Sequence, residues 1–380
     1  MTKTTQYKNT PIGPIPTDWE VKKLGDICKK TGSNLTNADI NEKDGIYNVY
    51  GASGLIKQVD FFQESTPYIS IVKDGAGVGR VLICEANSSV LATMDKIHNN
   101  ENVNLFYLSL LLNNIDFEKY ITGSTIPHIY FKDYKIKNIP LPPLPEQQKI
   151  AEVLSTWDKA IRDIDAIIKK LQDRNKALVN KLISFKNTSN HKKIKEVVDR
   201  VRNSLTPNKE ELYTQIGIRS HAKGLFHKEP ITGKELGNKS VFWIEPNCFI
   251  VNIVFAWEQA VAKTTDKEVG LIASHRFPMY KPKENILDLD YLLYLFKTPK
   301  GKDLLEFASP GGAGRNKTLG QSNFMDLKIP IYPIEEQRNI VKILNTANQE
   351  IKQYQQKLQA LKLQKKGLMQ QLLTGKVRTI

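Results

Sequence analysis

Apolar positions recur at alternating four- and three-residue spacing along two long stretches of this chain. The first seam runs Ile150, Leu154, Trp157, Ile161, Ile164, Ile168, Leu171, Asn175, Leu178, Leu182. The second runs Ile340, Leu344, Ala347, Ile351, Tyr354, Leu358, Leu361, Lys365, Leu368, Leu372. This is the a/d pattern of a heptad. A sustained 3.5-residue period predicts helices that wrap on each other, since a helix packed on a local core drifts towards 3.6. One polar residue interrupts each seam at the same place, Asn175 in one and Lys365 in the other. Neither stretch holds an internal proline. Pro145 suits a first turn, where its missing N–H costs nothing. Glu146, Glu335 and Glu336 set negative charge near the positive end of a helix dipole. Each predicted helix runs about 38 residues, or roughly 55–60 Å.

The two stretches are copies. IPLPPLPEQQKIAEVL (139–154) matches IPIYPIEEQRNIVKIL (329–344), with Pro140 on Pro330, Pro143 on Pro333, Glu146 on Glu336 and Gln147 on Gln337. The offset of 190 residues, half the chain, holds without a gap to Leu182 and Leu372. Between the helices lie two mixed segments, 17–138 and 191–327. Each has short β-like runs with turn residues, such as YISIVKDGAGVGRVLIC (68–84) and NCFIVNIVFAW (247–257). Each also has a helical stretch, NLFYLSLLLNN (104–114) and DYLLYLFKTPKGKDLLEFA (290–308). The order of elements is similar and the residues differ, so the chain reads as variable segment, helix, variable segment, helix.

Charge adds a partner class. Lys and Arg number 55 against 40 Asp and Glu, a formal net charge of +15. Such a surplus favours a polyanion, of which nucleic acid is the commonest. Cys28, Cys84 and Cys248 stand far apart, which points to a reducing compartment and away from zinc spacing. The N-terminus is polar, and no apolar run has the length of a membrane span. A cytoplasmic protein with no membrane contact is expected.

The layout, the PLPEQ-type start of a long helix, and the ending GLMQQLLTGKVR (367–378) resemble the DNA-specificity subunits of type I restriction–modification enzymes. The resemblance covers essentially the whole chain. It implies a mixed α/β fold with an internal pseudo-two-fold repeat, in which two target-recognition domains are separated by two long antiparallel coiled-coil helices. Expected boundaries are 1–138 and 187–327 for the recognition domains, and 139–186 and 328–380 for the helical regions. It implies a non-catalytic adaptor that binds double-stranded DNA at an asymmetric bipartite target. Two methyltransferase subunits and restriction/translocase subunits are the expected partners, and S-adenosylmethionine, ATP and Mg belong to them. Whether those partners are separate chains or a fused methylase–nuclease stays open, as does a stand-alone DNA-modifying enzyme.

Motifs for catalysis are weak. Gly75, Gly77 and Gly79 are not spaced GxGxxG and precede a strand-like run, so a tight hairpin turn is expected. GGAGRNK (311–317) lacks the GK[ST] ending of a P-loop. Candidate DNA contacts are basic residues near predicted turns: Lys73 and Arg80, Arg219 and Lys223, Arg276, and Arg315 with Lys317. His128, Tyr130 and Lys132 interleave aromatic and basic groups before the first helix, although Tyr130 equally suits edge-strand packing. Any one of these basic residues reads a base or only meets phosphate. Gln147 and Gln337, near the helix starts, are the expected exposed partner contacts, with capping as their alternative role. In an antiparallel pair Asn175 should fall near Ala347 and Lys365 near Trp157, the Lys stem lying along the indole and its ammonium in water. On that basis Lys365→Leu should preserve or raise stability while loosening register.

Overall fold

Both seams fold as single helices in the computed structural model, Leu144–Leu182 and Ile334–Leu373. The structure describes residues 6–185, 188–311 and 317–379. No seam residue is exposed, whereas the off-seam apolar residues Ile167, Ile343 and Leu363 are. That is the burial pattern of a two-helix interface. The chain divides into two units, and each takes a share of both helices: Met1–Asp165 with Lys357–Ile380, and Ala166–Gln356.

In the first unit, Ile150 and Leu154 share a core with Leu372 and Leu373, and Leu368 packs against it. In the second, Leu178 and Leu182 pack against Ile340 and Leu344. Rising numbers on one helix meet falling numbers on the other, so within each unit the pair is antiparallel. The polar interruptions follow the repeat. Asn175 Nδ2 donates to Asn348 Oδ1 at 2.7 Å, and at the matching positions 190 residues away Lys365 Nζ donates to Asp158 Oδ1 at 2.5 Å. The Lys365 ammonium therefore goes to a carboxylate beside Trp157 and not to water, because Asp158 offers a charge-assisted hydrogen bond at the half-buried seam. This reverses the expected effect of substitution. Lys365→Leu strands Asp158 and should cost the first unit about 1 to 2 kcal/mol. Adding Asp158→Leu should recover most of it. Thermal unfolding of the single and double variants checks this, and a single variant as stable as the wild type would refute it.

Each variable segment is built on a four-stranded antiparallel sheet. In the first unit the strand order is Cys28–Gly32, Met94–Asn99, Tyr68–Val72, Val81–Cys84. In the second it is Val198–Val201, Met279–Pro282, Phe249–Val251, Val261–Lys263, the same order with no matching sequence. A two-strand ladder leads into each long helix, Asn138–Leu141 on Glu20–Lys23 and Lys328–Pro330 on His191–Lys193. A helix backs each sheet, Leu105–Asn113 in the first unit and Leu289–Lys297 in the second. The predicted stretch 290–308 is two helices, not one. Pro299 has no N–H to continue the first, and Thr298 caps the second, Pro299–Phe307, by accepting from the Gly301 amide. The predicted strand over 247–257 likewise stops at Val251 and gives way to a loop.

Candidate nucleic-acid interface

In the first unit the residues Lys73–Arg80 join Tyr68–Val72 to Val81–Cys84. They form an eight-residue loop rather than the tight turn expected, because the loop folds back on its neighbours. Gly79 sits at φ +83°, and a Cβ there would lie 2.8 Å from Phe117 Cβ, so only glycine fits. The Gly75 amide donates to Pro127 O at 3.0 Å, and the Ile129 amide to Lys73 O at 3.0 Å. His128 Nδ1 lies 2.7 Å from Asp74 Oδ1. Its ring stacks on Tyr130, over which Lys132 Nζ sits at 5.5 Å. Tyr130 is half exposed. Arg80 reaches sideways and donates to Ala52 O, which ties in the turn of the Tyr47–Gly51/Gly54–Val59 hairpin. Lys73, Arg80, His128, Tyr130 and Lys132 thus belong to one loop cluster. Lys73 also stands 3.9 Å from the buried Asp95 carboxylate, which Lys30 approaches to 3.2 Å.

In the second unit the same strand-to-strand position is filled by Asn252–Ala260. The glycine loop has no sequence counterpart here, yet its place in the sheet is kept. The turn is made by a short 3₁₀ segment, Ala256–Glu258, followed by Gln259 at φ +58°. Two further loops are fastened to it. The amides of His221 and Ala222 donate to Glu258 O and Gln259 O, at 2.7 and 2.8 Å, and the Ile253 amide donates to Arg276 O at 3.0 Å. Arg219, Lys223 and Arg276 are thereby gathered on one set of loops. The Arg219 guanidinium lies 4.9 Å from the Phe226 ring centre and donates to Leu225 O. Phe226, Phe255 and Phe277 line a depression with Asn252 and Lys228, and Arg200 and Arg202 border a second one that Phe277 also lines. The sequence reading missed these aromatics and arginines. The missing signal was topological, since only the shared strand order identifies 252–260 as the partner of 73–80.

Lys317 joins the same loops through Trp257, with its charge already paired. Lys317 Nζ is held 2.5 Å from Glu306 and lies over the Trp257 ring. Arg315 lies outside the described residues. The cysteines are buried, with burial pushing the thiols of Cys28 and Cys248 up to about 12 and about 11. Among the described residues no cluster of His, Cys, Asp and Glu is placed to hold a metal, and no helix is long and apolar enough to cross a membrane.

Gln147 and Gln337 are not exposed partner contacts. Both are buried, with every polar group used. Gln147 accepts from the Asn104 amide at 2.9 Å and donates to Asn102 O and Pro142 O. Gln337 accepts from the Asp288 amide at 2.9 Å and donates to Ile286 O and Tyr332 O. Asn104 and Asp288 are the N-caps of the two sheet-backing helices. Tyr107 and Tyr291, three residues on, donate to Pro140 O and Pro330 O. The repeated Pro and Gln positions thus clamp each long helix to its own recognition domain.

The profile of the type I restriction modification DNA specificity domain matches this chain twice, over residues 16–173 and 186–363. A Methanocaldococcus jannaschii sequence assigned as the type I restriction enzyme MjaX specificity subunit is 26% identical, over 99% of this chain and 97% of its own. Among solved structures, the type I restriction-modification S subunit from M. genitalium aligns with a TM-score of 0.58 at 15% identity, over 93% of this chain and 96% of that one. A chain solved in work on complex assembly and conformational transition of the type I R-M system aligns with a TM-score of 0.60 at 13% identity, over 96% and 99%. The chain therefore belongs to the type I restriction–modification DNA specificity family, and DNA target recognition is the work of its two variable domains.

Proposed function

We propose that this chain reads an asymmetric, two-part DNA target, one half-site through each recognition domain, and does no chemistry on the DNA itself. One observation carries the reading: identical strand order presents two loop clusters of unrelated sequence, at 73–80 with 127–132 and at 252–260 with 219–226 and 274–277. Loops that share a scaffold and differ in side chains suit two different base sequences. An arginine fork matches guanine O6 and N7, while the lysines suit phosphate. The net charge of +15 adds sequence-independent attraction. In this reading two copies of a methyltransferase supply methylation with S-adenosylmethionine, and restriction/translocase subunits supply ATP- and Mg-dependent cleavage. Two copies follow from the duplicated helices. Their contacts then lie on exposed helix positions instead of Gln147 and Gln337. Work with DNA and such partners fits a cytoplasmic site.

The test is modular replacement. Exchanging residues 17–138 for the matching domain of a relative should change one half-site and leave the other intact, as read by mapping methylated adenines. A change in both half-sites together would overturn the two-module reading.

A further inference from the structure

A groove of about 850 Å³ runs within the second unit, between its recognition domain and its share of the long helices. Four lysines line it: Lys176 from the central helix, Lys223 from the 219–224 loop, and Lys297 and Lys302 from the two helices behind the sheet. His221 joins them, and Asp173 is the one carboxylate of the lining. Among the described residues none of the four lysines makes an ion pair. Lys297 is exposed and lies 5.2 Å from the Tyr294 ring centre. Desolvation by the surrounding walls draws its pKa below the ordinary lysine value, against the opposing pull of Asp290. Asp290 is itself engaged by Lys263 at 2.5 Å. Four lysines without an ion pair, beside a single lining carboxylate, favour an anion with repeated charges.

The groove is continuous with the reading loops, because His221, Lys223 and Gln259 belong to both. It is also particular to this unit. Lys297 stands nine residues after its cap Asp288, and the residue nine after Asn104 in the first unit is Asn113. Only Lys176 has a basic match in the repeat, Lys366. We infer that this groove binds the sugar–phosphate backbone of DNA flanking the second half-site, through charge alone and without reading bases. The inference rests on the DNA-specificity reading above.

The experiment uses the full chain and its own target duplex, with affinity measured across a salt series. The triple variant Lys176→Gln, Lys297→Gln, Lys302→Gln should bind roughly tenfold or more weakly at low salt. Its log–log salt dependence should be shallower by about 2 to 3, one unit for each phosphate released. The methylated sequence should stay the same, because backbone contacts specify no base. A matched control, Lys169→Gln, Lys170→Gln, Lys352→Gln, removes the same charge from exposed helix positions outside the groove and should leave the slope near the wild-type value. Replacing the three groove lysines by arginine should also preserve the slope, which separates lost charge from lost folding. An unchanged slope in the glutamine variant, an equal loss in the control, or an altered half-site would each overturn the groove's role. A wild-type chain without salt-dependent DNA binding would instead overturn the underlying reading.

Discussion

Glu146→Ala should lower the stability of the first unit by about 3 kcal/mol or more, while Glu336→Ala, its match in the repeat, should change the second by less than about 0.5 kcal/mol. Glu146 is fully buried. It accepts from Trp19 Nε1 at 2.8 Å and from Arg378 Nε and Nη2 at 2.7 and 2.8 Å. Arg378 completes the clamp with a bidentate pair to Asp18, at 3.0 and 2.6 Å. One side chain near the C-terminus thus ties the N-terminal segment to the start of the central helix. Removing Glu146 leaves a largely covered guanidinium and an indole N–H short of their acceptor. Glu336 is exposed and makes no side-chain hydrogen bond or ion pair among the described residues, so only a weakly favourable charge at the helix start is lost. Arg378→Met added to Glu146→Ala should recover at most part of the loss, because it withdraws a half-satisfied charge but also gives up the pair with Asp18. The hydrogen bonds from Arg378 hold the Asp18 carboxyl below its ordinary pKa, so its contribution is present above the unfolded value and fades as pH falls through the folded one. Thermal unfolding with hydrogen exchange at residues 6–20 and 374–379 measures both variants. Equal effects at the two sites would refute the clamp.

The long helices were legible because a coiled-coil seam is written in local spacing, and every seam residue from Ile150 to Leu372 is buried or half-buried. The duplication was legible because the clamp residues Pro140, Gln147, Pro330 and Gln337 serve the same geometry twice. The recognition domains were legible only as mixed. Their shared sheet order rests on pairings between strands far apart in sequence, such as Met94–Asn99 with both Cys28–Gly32 and Tyr68–Val72, and any alternation of apolar residues satisfies them. The correspondence of 73–80 with 252–260 was hidden for the same reason, since glycines make one loop and a 3₁₀ turn makes the other. The gathering of Arg219, Lys223 and Arg276 depends on backbone hydrogen bonds between loops, which leave no trace in residue type. The burial of Gln147 was unreadable because a glutamine in a first helical turn ordinarily faces water. The differing fates of Glu146 and Glu336 depend on Arg378, which lies 232 residues from its partner.

Gln147→Leu and Gln337→Leu should each destabilise their own unit by about 2 to 4 kcal/mol without removing a partner contact. Each glutamine makes three hydrogen bonds to backbone groups, and leucine of similar volume makes none. The amide of Asn104 or Asp288 and two carbonyls then lose their partners at the junction of helix and domain. Each unsatisfied buried group costs about 1 to 3 kcal/mol, and relaxation towards water recovers some of the sum. The loss should be local. Hydrogen exchange should quicken across Leu105–Asn113 in the first variant and across Leu289–Lys297 in the second, because these helices lose the fastening of their capped ends. Neither variant should affect the other unit's helix. Below the unfolding temperature both should still assemble with the methyltransferase at wild-type stoichiometry, since neither side chain reaches the surface. Wild-type exchange at both helices would remove the clamp from the account. Loss of assembly by a variant that remains folded would return these two positions to the partner surface.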